Sequence, residues 1–126
     1  GEPRTVTKRQ TWSLLMSLLQ LVKGDDFRRN LDGLYGKNRQ GAETRAGLGM
    51  IFIQFSRQRL IEAGFSGDRG GFDEMFGAVF RHKEDSTVRR LTREIEEVLR
   101  VQRGEWFGIT DEVAVARPQV QAPAPK

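Results

Sequence analysis

Between Lys8 and Lys23 the chain places apolar side chains on almost every face of a helix. Trp12, Leu15, Leu19 and Val22 form one row at helical spacing, and Leu14, Leu18 and Leu21 form a second. Only Ser13, Ser17 and Gln20 break the pattern, as a narrow polar stripe. A helix clothed in this way lies at the centre of a core or beneath a partner subunit. Whatever else the chain builds has to be assembled around it. Its ends are marked by a Thr7/Gln10 capping box and by Gly24.

The rest of the chain supplies helices to do so. Phe27, Leu31, Leu34 and Tyr35 predict a short second helix from an Asp26 N-cap to Tyr35, closed by Gly36. Residues 37–41 read as a basic loop. A third helix is expected over Ala42–Ala63, with Ala42, Ala46 and Gly49 on one face where another helix can approach closely. The apolar run Met50–Phe55 is read as helix because helical spacing continues on both sides of it. Residues 64–71 read as a flexible connection. Phe72, Met75, Phe76, Val79 and Phe80 then make an amphipathic stripe, with acids in its first turn and Arg81 and His82 in its last. A fifth helix is predicted from Asp85 or Ser86 to Gln102, ended by Gly104, on Val88, Leu91, Ile95 and Val98. Its Arg90–Glu94 and Glu96–Arg100 spacings predict paired charges on a solvated face, together with Arg89, Arg93, Glu97 and Arg103. Trp106, Phe107 and Ile109 are expected to fold back on the bundle. The fold expected is all-α: a compact bundle of about five helices over residues 7–109. Residues 1–6 form a flexible N-terminal arm, and the Pro-containing residues 110–126 a disordered tail or linker.

Much chemistry is excluded. Without cysteine there are no disulfides, thiolate nucleophiles or iron–sulfur ligands, and one histidine cannot make a two-histidine metal site. Neither glycine-rich nucleotide loop is present, nor a His-Glu-x-x-His or calcium-loop pattern. His82 stands where a cationic imidazole suits a helix C-terminus. The acid pairs Asp25–Asp26 and Asp73–Glu74 stand where helix starts favour negative charge. The expectation is therefore a protein that is not an enzyme, with no catalytic residues, no metal site and no cofactor. No run reaches the ~18 apolar residues of a membrane span, and no signal peptide is recognised. An intracellular setting (cytoplasm, nucleus or virion interior) is expected.

What remains is positive charge. Residues 1–62 hold eleven basic residues against six acidic, whereas residues 63–126 are nearly balanced, and 16 of the 21 basic residues are Arg. Arg binds phosphate in a bidentate manner and stacks on bases. Lys8 and Arg9, and again Arg28 and Arg29, occupy first turns of helices, where cations oppose the dipole by roughly 0.3–1 kcal/mol. Charges kept where they lower stability point to an external anion. The candidate nucleic-acid-binding residues are therefore Lys8, Arg9, Arg28, Arg29, Lys37, Arg39 and Arg45, taking the phosphate backbone without base readout. The combination of a small helical domain, a basic N-terminal half and a Pro-containing exit resembles viral matrix and nucleocapsid domains, at the level of architecture only. The competing expectation is a helical adaptor that binds a protein partner or an acidic membrane surface. Self-association, as a homodimer, is expected from the nearly all-apolar first helix and the small residues of the third.

Overall fold

A computed structural model describes residues 6–36 and 42–110. They form five helices: α1 (Lys8–Lys23), α2 (Asp25–Gly36), α3 (Ala42–Glu62), α4 (Arg69–Arg81) and α5 (Ser86–Leu99). Among the described residues there is no strand, and the architecture is a compact all-α bundle. The expected basic loop at 37–41, most of the N-terminal arm and the tail from 111 onward lie outside the described residues. Val6, at the end of that arm, is buried in the core, and its carbonyl oxygen lies 2.9 Å from Nε2 of His82.

The apolar first helix is the central one. Leu15, Leu18 and Val22 are fully buried, and α1 packs against α2, α3 and α5. Two contacts show that α1 and α5 run parallel: the Trp12 indole donates to Asp85 at 2.7 Å near their starts, and Lys23 and Val98 line one hollow near their ends. α3 runs antiparallel to both α1 and α2. The Arg59 guanidinium donates to the Ser17 hydroxyl at 3.0 Å, and the Phe27 and Phe55 rings meet edge to face at 5.4 Å. The chain thus packs α2, α3 and α5 around α1, with α4 against α3, and no partner subunit is needed to cover it.

The α1–α5 junction turns on Asp85. Its carboxylate accepts the Val88 N–H at 3.0 Å as N-cap of α5, takes the Trp12 indole N–H, and faces the Lys8 ammonium at 3.6 Å. Burial alone would push this carboxyl up, but those three partners outweigh it and hold its pKa below the ordinary aspartate value of 3.8. A carboxylate with a depressed folded pKa stabilises fully above its unfolded value, and that contribution is lost as pH falls through the folded one. Asp85→Ala is therefore expected to lower stability by about 1–2 kcal/mol at pH 7. The gap between it and the wild type should narrow below about pH 4, which urea titrations followed by tryptophan fluorescence at several pH values will measure.

Four local expectations are corrected. α4 begins at Arg69, not at Phe72, because Asp68 caps it by accepting the Gly71 N–H at 2.9 Å. Gly71 is required there, since a Cβ would come within 1.8 Å of the Ser66 carbonyl oxygen. The small face of α3 does not receive a helix at Ala46 and Gly49. Leu34 of α2 instead packs on Gly47, one position round, while a Cβ on Gly49 would meet nothing within 4 Å. α5 stops at Leu99 rather than Gln102, and Arg100 turns the chain in the left-handed region at φ 64°. Finally, of the two charge pairs expected on α5, Arg90–Glu94 forms at 2.8 Å but Glu96–Arg100 does not.

Glu96 is only 1% exposed. Its carboxylate accepts the backbone N–H groups of Gly104, Trp106 and Phe107 and the Arg103 guanidinium, each at 3.0 Å. Arg103 reaches on to the Thr92 hydroxyl and the Arg89 carbonyl. One buried ion pair thus fastens residues 101–110 to α5. The early end of the helix is what lets the segment fold back within reach. Phe107 and Ile109 are buried by it, and the Trp106 ring packs edge to face on Phe52 at 5.3 Å.

Candidate anion-binding face

α1 contains no acidic residue. Its outward row is Arg9, Ser13, Met16, Gln20 and Lys23, all exposed, with Met16 at 52%. Arg9 and Lys23 are fourteen residues apart, which puts them on the same side of the helix, about 40° apart around its axis and about 21 Å along it. The row therefore runs the length of α1 with a cation at each end.

Tertiary neighbours add a second cation at both ends. At the start of α1 a groove against the end of α3 is lined by Arg9, Gln10, Ser13, Ser17 and Arg59, with Glu62 as its one acid. Arg59 is held by its bond to Ser17, which directs a guanidinium along a wall of hydroxyl groups. At the other end Lys23 and Arg28 share a hollow with Arg100, floored by Leu31 and Val98. Arg100 pairs with Asp32 and lies over the Tyr35 ring, 5.3 Å from its centroid. Neither Arg9, Lys23, Arg28 nor Arg59 has an ionic partner among the described residues.

The candidate residues divide on this map. Arg9 and Arg28 fall at opposite ends of the α1 row. Lys8 is turned to Asp85, Arg29 faces Asp26 at 3.4 Å one turn earlier on α2, and Arg45 pairs with Glu105 beside the aromatic cleft between α3 and α4. The backbone N–H of Gln102 and the Arg45 guanidinium together hold the Glu105 carboxyl below its ordinary pKa, so it remains an anion there. Lys37 and Arg39 lie outside the described residues. Two contributors were missed. Lys23 was legible from its fourteen-residue spacing to Arg9, but Arg59 carries no sequence signal, because only the antiparallel packing of α3 brings it to α1.

Trp12, Tyr35, Trp106 and Phe107, the aromatic residues that could stack on unpaired bases, are each engaged within the fold. The Trp12 indole is bonded to Asp85, and the Tyr35 hydroxyl donates to the Leu99 carbonyl at 2.7 Å, its pKa raised by burial against the lowering effect of Arg100. Trp106 and Phe107 pack against Phe76, with ring centroids 6.3 Å and 5.5 Å away. Among the described residues no helix is long and apolar enough to cross a membrane. No protein-family model, curated protein or solved structure matches the chain.

Proposed function

We propose that this chain is a non-enzymatic nucleic-acid-binding domain that takes a phosphate backbone, without regard to sequence, along the outward row of α1. The observation that carries this reading is the acid-free helix face with Arg9 and Arg59 at one end and Lys23 and Arg28 at the other. Strand phosphates rise by about 3.4 Å each along a B-form helix, so a 21 Å row spans about six nucleotides of one strand. The hydroxyl and amide groups of Ser13 and Gln20 between the ends suit phosphate oxygens as neutral donors. Base edges have no reader in this arrangement, which is why sequence preference is not part of the proposal.

Fluorescence anisotropy with a labelled oligonucleotide at several salt concentrations tests it. With about four phosphates engaged, log K should fall against log[salt] with a slope near −3 to −4. Arg9→Gln combined with Arg28→Gln should reduce the magnitude of that slope by about 2, whereas Arg45→Gln, whose native partner is Glu105, should leave it unchanged. A flat slope, no binding at low salt, or an equal loss in the Arg45 variant overturns the reading.

A second reading rests on Met16. An exposed apolar side chain flanked by cations is the pattern of a surface that lies on acidic lipid, where apolar insertion and electrostatic attraction add. Co-sedimentation with vesicles that contain or lack phosphatidylserine separates the two. Retention that needs the anionic lipid and falls in Met16→Ser would favour the membrane.

A further inference from the structure

The small-residue face of α3 around Ala46 is covered by no other helix among the described residues, and it leads to an inference independent of anion binding. Glu43, Ala46, Met50 and Arg57 are exposed along one side of α3, and with the half-buried Ile53 they follow heptad spacing. Met50 is 72% exposed, the most exposed large apolar side chain among the described residues. Beside it lies a hollow between α2 and α3, lined by Gly33, Leu34, Gly47, Ile51 and Gln54, where a Cβ on Gly33 would meet nothing within 4 Å. Each chain therefore offers a protruding thioether and a recess next to it.

We propose that two copies of this chain pair through this face, α3 against α3, antiparallel about a two-fold axis at Met50. Self-complementarity of the sequence about that residue identifies the partner as a second copy. In an isologous antiparallel contact, each position before Met50 faces the one equally far after it. Glu43, seven residues before, faces Arg57, seven after, and the symmetry makes that ion pair twice. Both are exposed, and neither has an ionic partner among the described residues. Ala46 faces Gln54, both exposed, so small meets large there, as close helix packing requires. Each Met50 enters the other chain's α2–α3 recess. Met suits that role because its unbranched thioether adapts to irregular space.

Sedimentation equilibrium on the full chain tests the pairing. A reversible dimer is expected, abolished by Met50→Arg with an unchanged helical circular dichroism spectrum, since Met50 packs little in the monomer. Glu43→Arg and Arg57→Glu should each weaken the dimer about tenfold by setting like charges together twice, and the two combined should restore it. A chain that stays monomeric up to about 1 mM overturns the proposal, as does a dimer indifferent to Met50→Arg. Loss in both single charge variants without recovery in the double variant overturns the antiparallel register and with it the proposed interface.

Discussion

Glu96→Ala is expected to lower the stability of the domain by about 3–5 kcal/mol, the largest loss for any charged residue among those described. The carboxylate does four things at once. It accepts the N–H groups of Gly104, Trp106 and Phe107 and neutralises Arg103, all at a position almost closed to water. Its removal leaves three backbone donors without their acceptor and a mostly buried guanidinium without its counter-ion, and desolvated groups in that state are what make breaking a buried pair so unfavourable. Because the bonds reach along residues 104–107, the damage should extend from α5 to the fold-back. Amide exchange at Gly104, Trp106 and Phe107 should accelerate, and tryptophan fluorescence should report Trp106 opening before global unfolding. Glu96→Gln keeps one acceptor oxygen but points an NH₂ group at donors, so an intermediate loss is expected. Glu97→Ala, on the exposed neighbouring position, should change stability by less than about 0.5 kcal/mol. Urea titrations of the three variants measure the series. Equal effects at positions 96 and 97 would refute the role given to the buried carboxylate.

Phe52→Ala is expected to have an effect of similar size, about 3–5 kcal/mol, for a different reason. Phe52 is 1% exposed and holds an aromatic cluster together from the middle of α3. Its ring lies 6.2 Å from Phe72, 6.3 Å from Phe76 and 5.3 Å from Trp106, so it joins α4 and the fold-back to the central helices. Deleting the ring loses its transfer free energy and leaves a cavity whose walls belong to three separate segments, which limits collapse. Phe52→Leu retains most of the volume and should lose less than about 1.5 kcal/mol. For a domain of this size the alanine variant should melt roughly 12–20 °C lower by calorimetry, at about 4 °C per kcal/mol. A difference of only a degree or two between the leucine and alanine variants would mean that the cluster is not a joint of the fold.

The two cases mark how far the sequence could be read. Phe52 stood in an apolar run whose helical context was visible, and the Phe72–Phe80 stripe that meets it was visible too. Burial of such residues follows from spacing. Glu96 was read as part of a solvated charge face because the i, i+4 rule offered it Arg100, and on an isolated helix that pairing would be favourable. The fold-back of residues 101–110 changed the partners: Arg103 arrived at Glu96, and Arg100 left for Asp32 and Tyr35. The candidate anion-binding face divides in the same way. Arg9 and Arg28 were picked out by local arguments about helix starts, and both reach solvent without an ionic partner among the described residues. Lys8 is picked out by the same argument and Arg45 by its nearness in sequence to Lys37 and Arg39, but acids distant in sequence, Asp85 and Glu105, claim them.

Periodicity, capping and glycine placement determined the class of this protein from its sequence: five helices, with the first at the centre, because each of those signals acts within a few residues along the chain. Which cations remain available, which acid lies buried and which face of α3 is left open were decided only in three dimensions. Those outcomes depend on side chains up to 73 residues apart, such as Trp12 and Asp85. Coulombic and packing energies follow distance in space, and one-dimensional order carries no record of it.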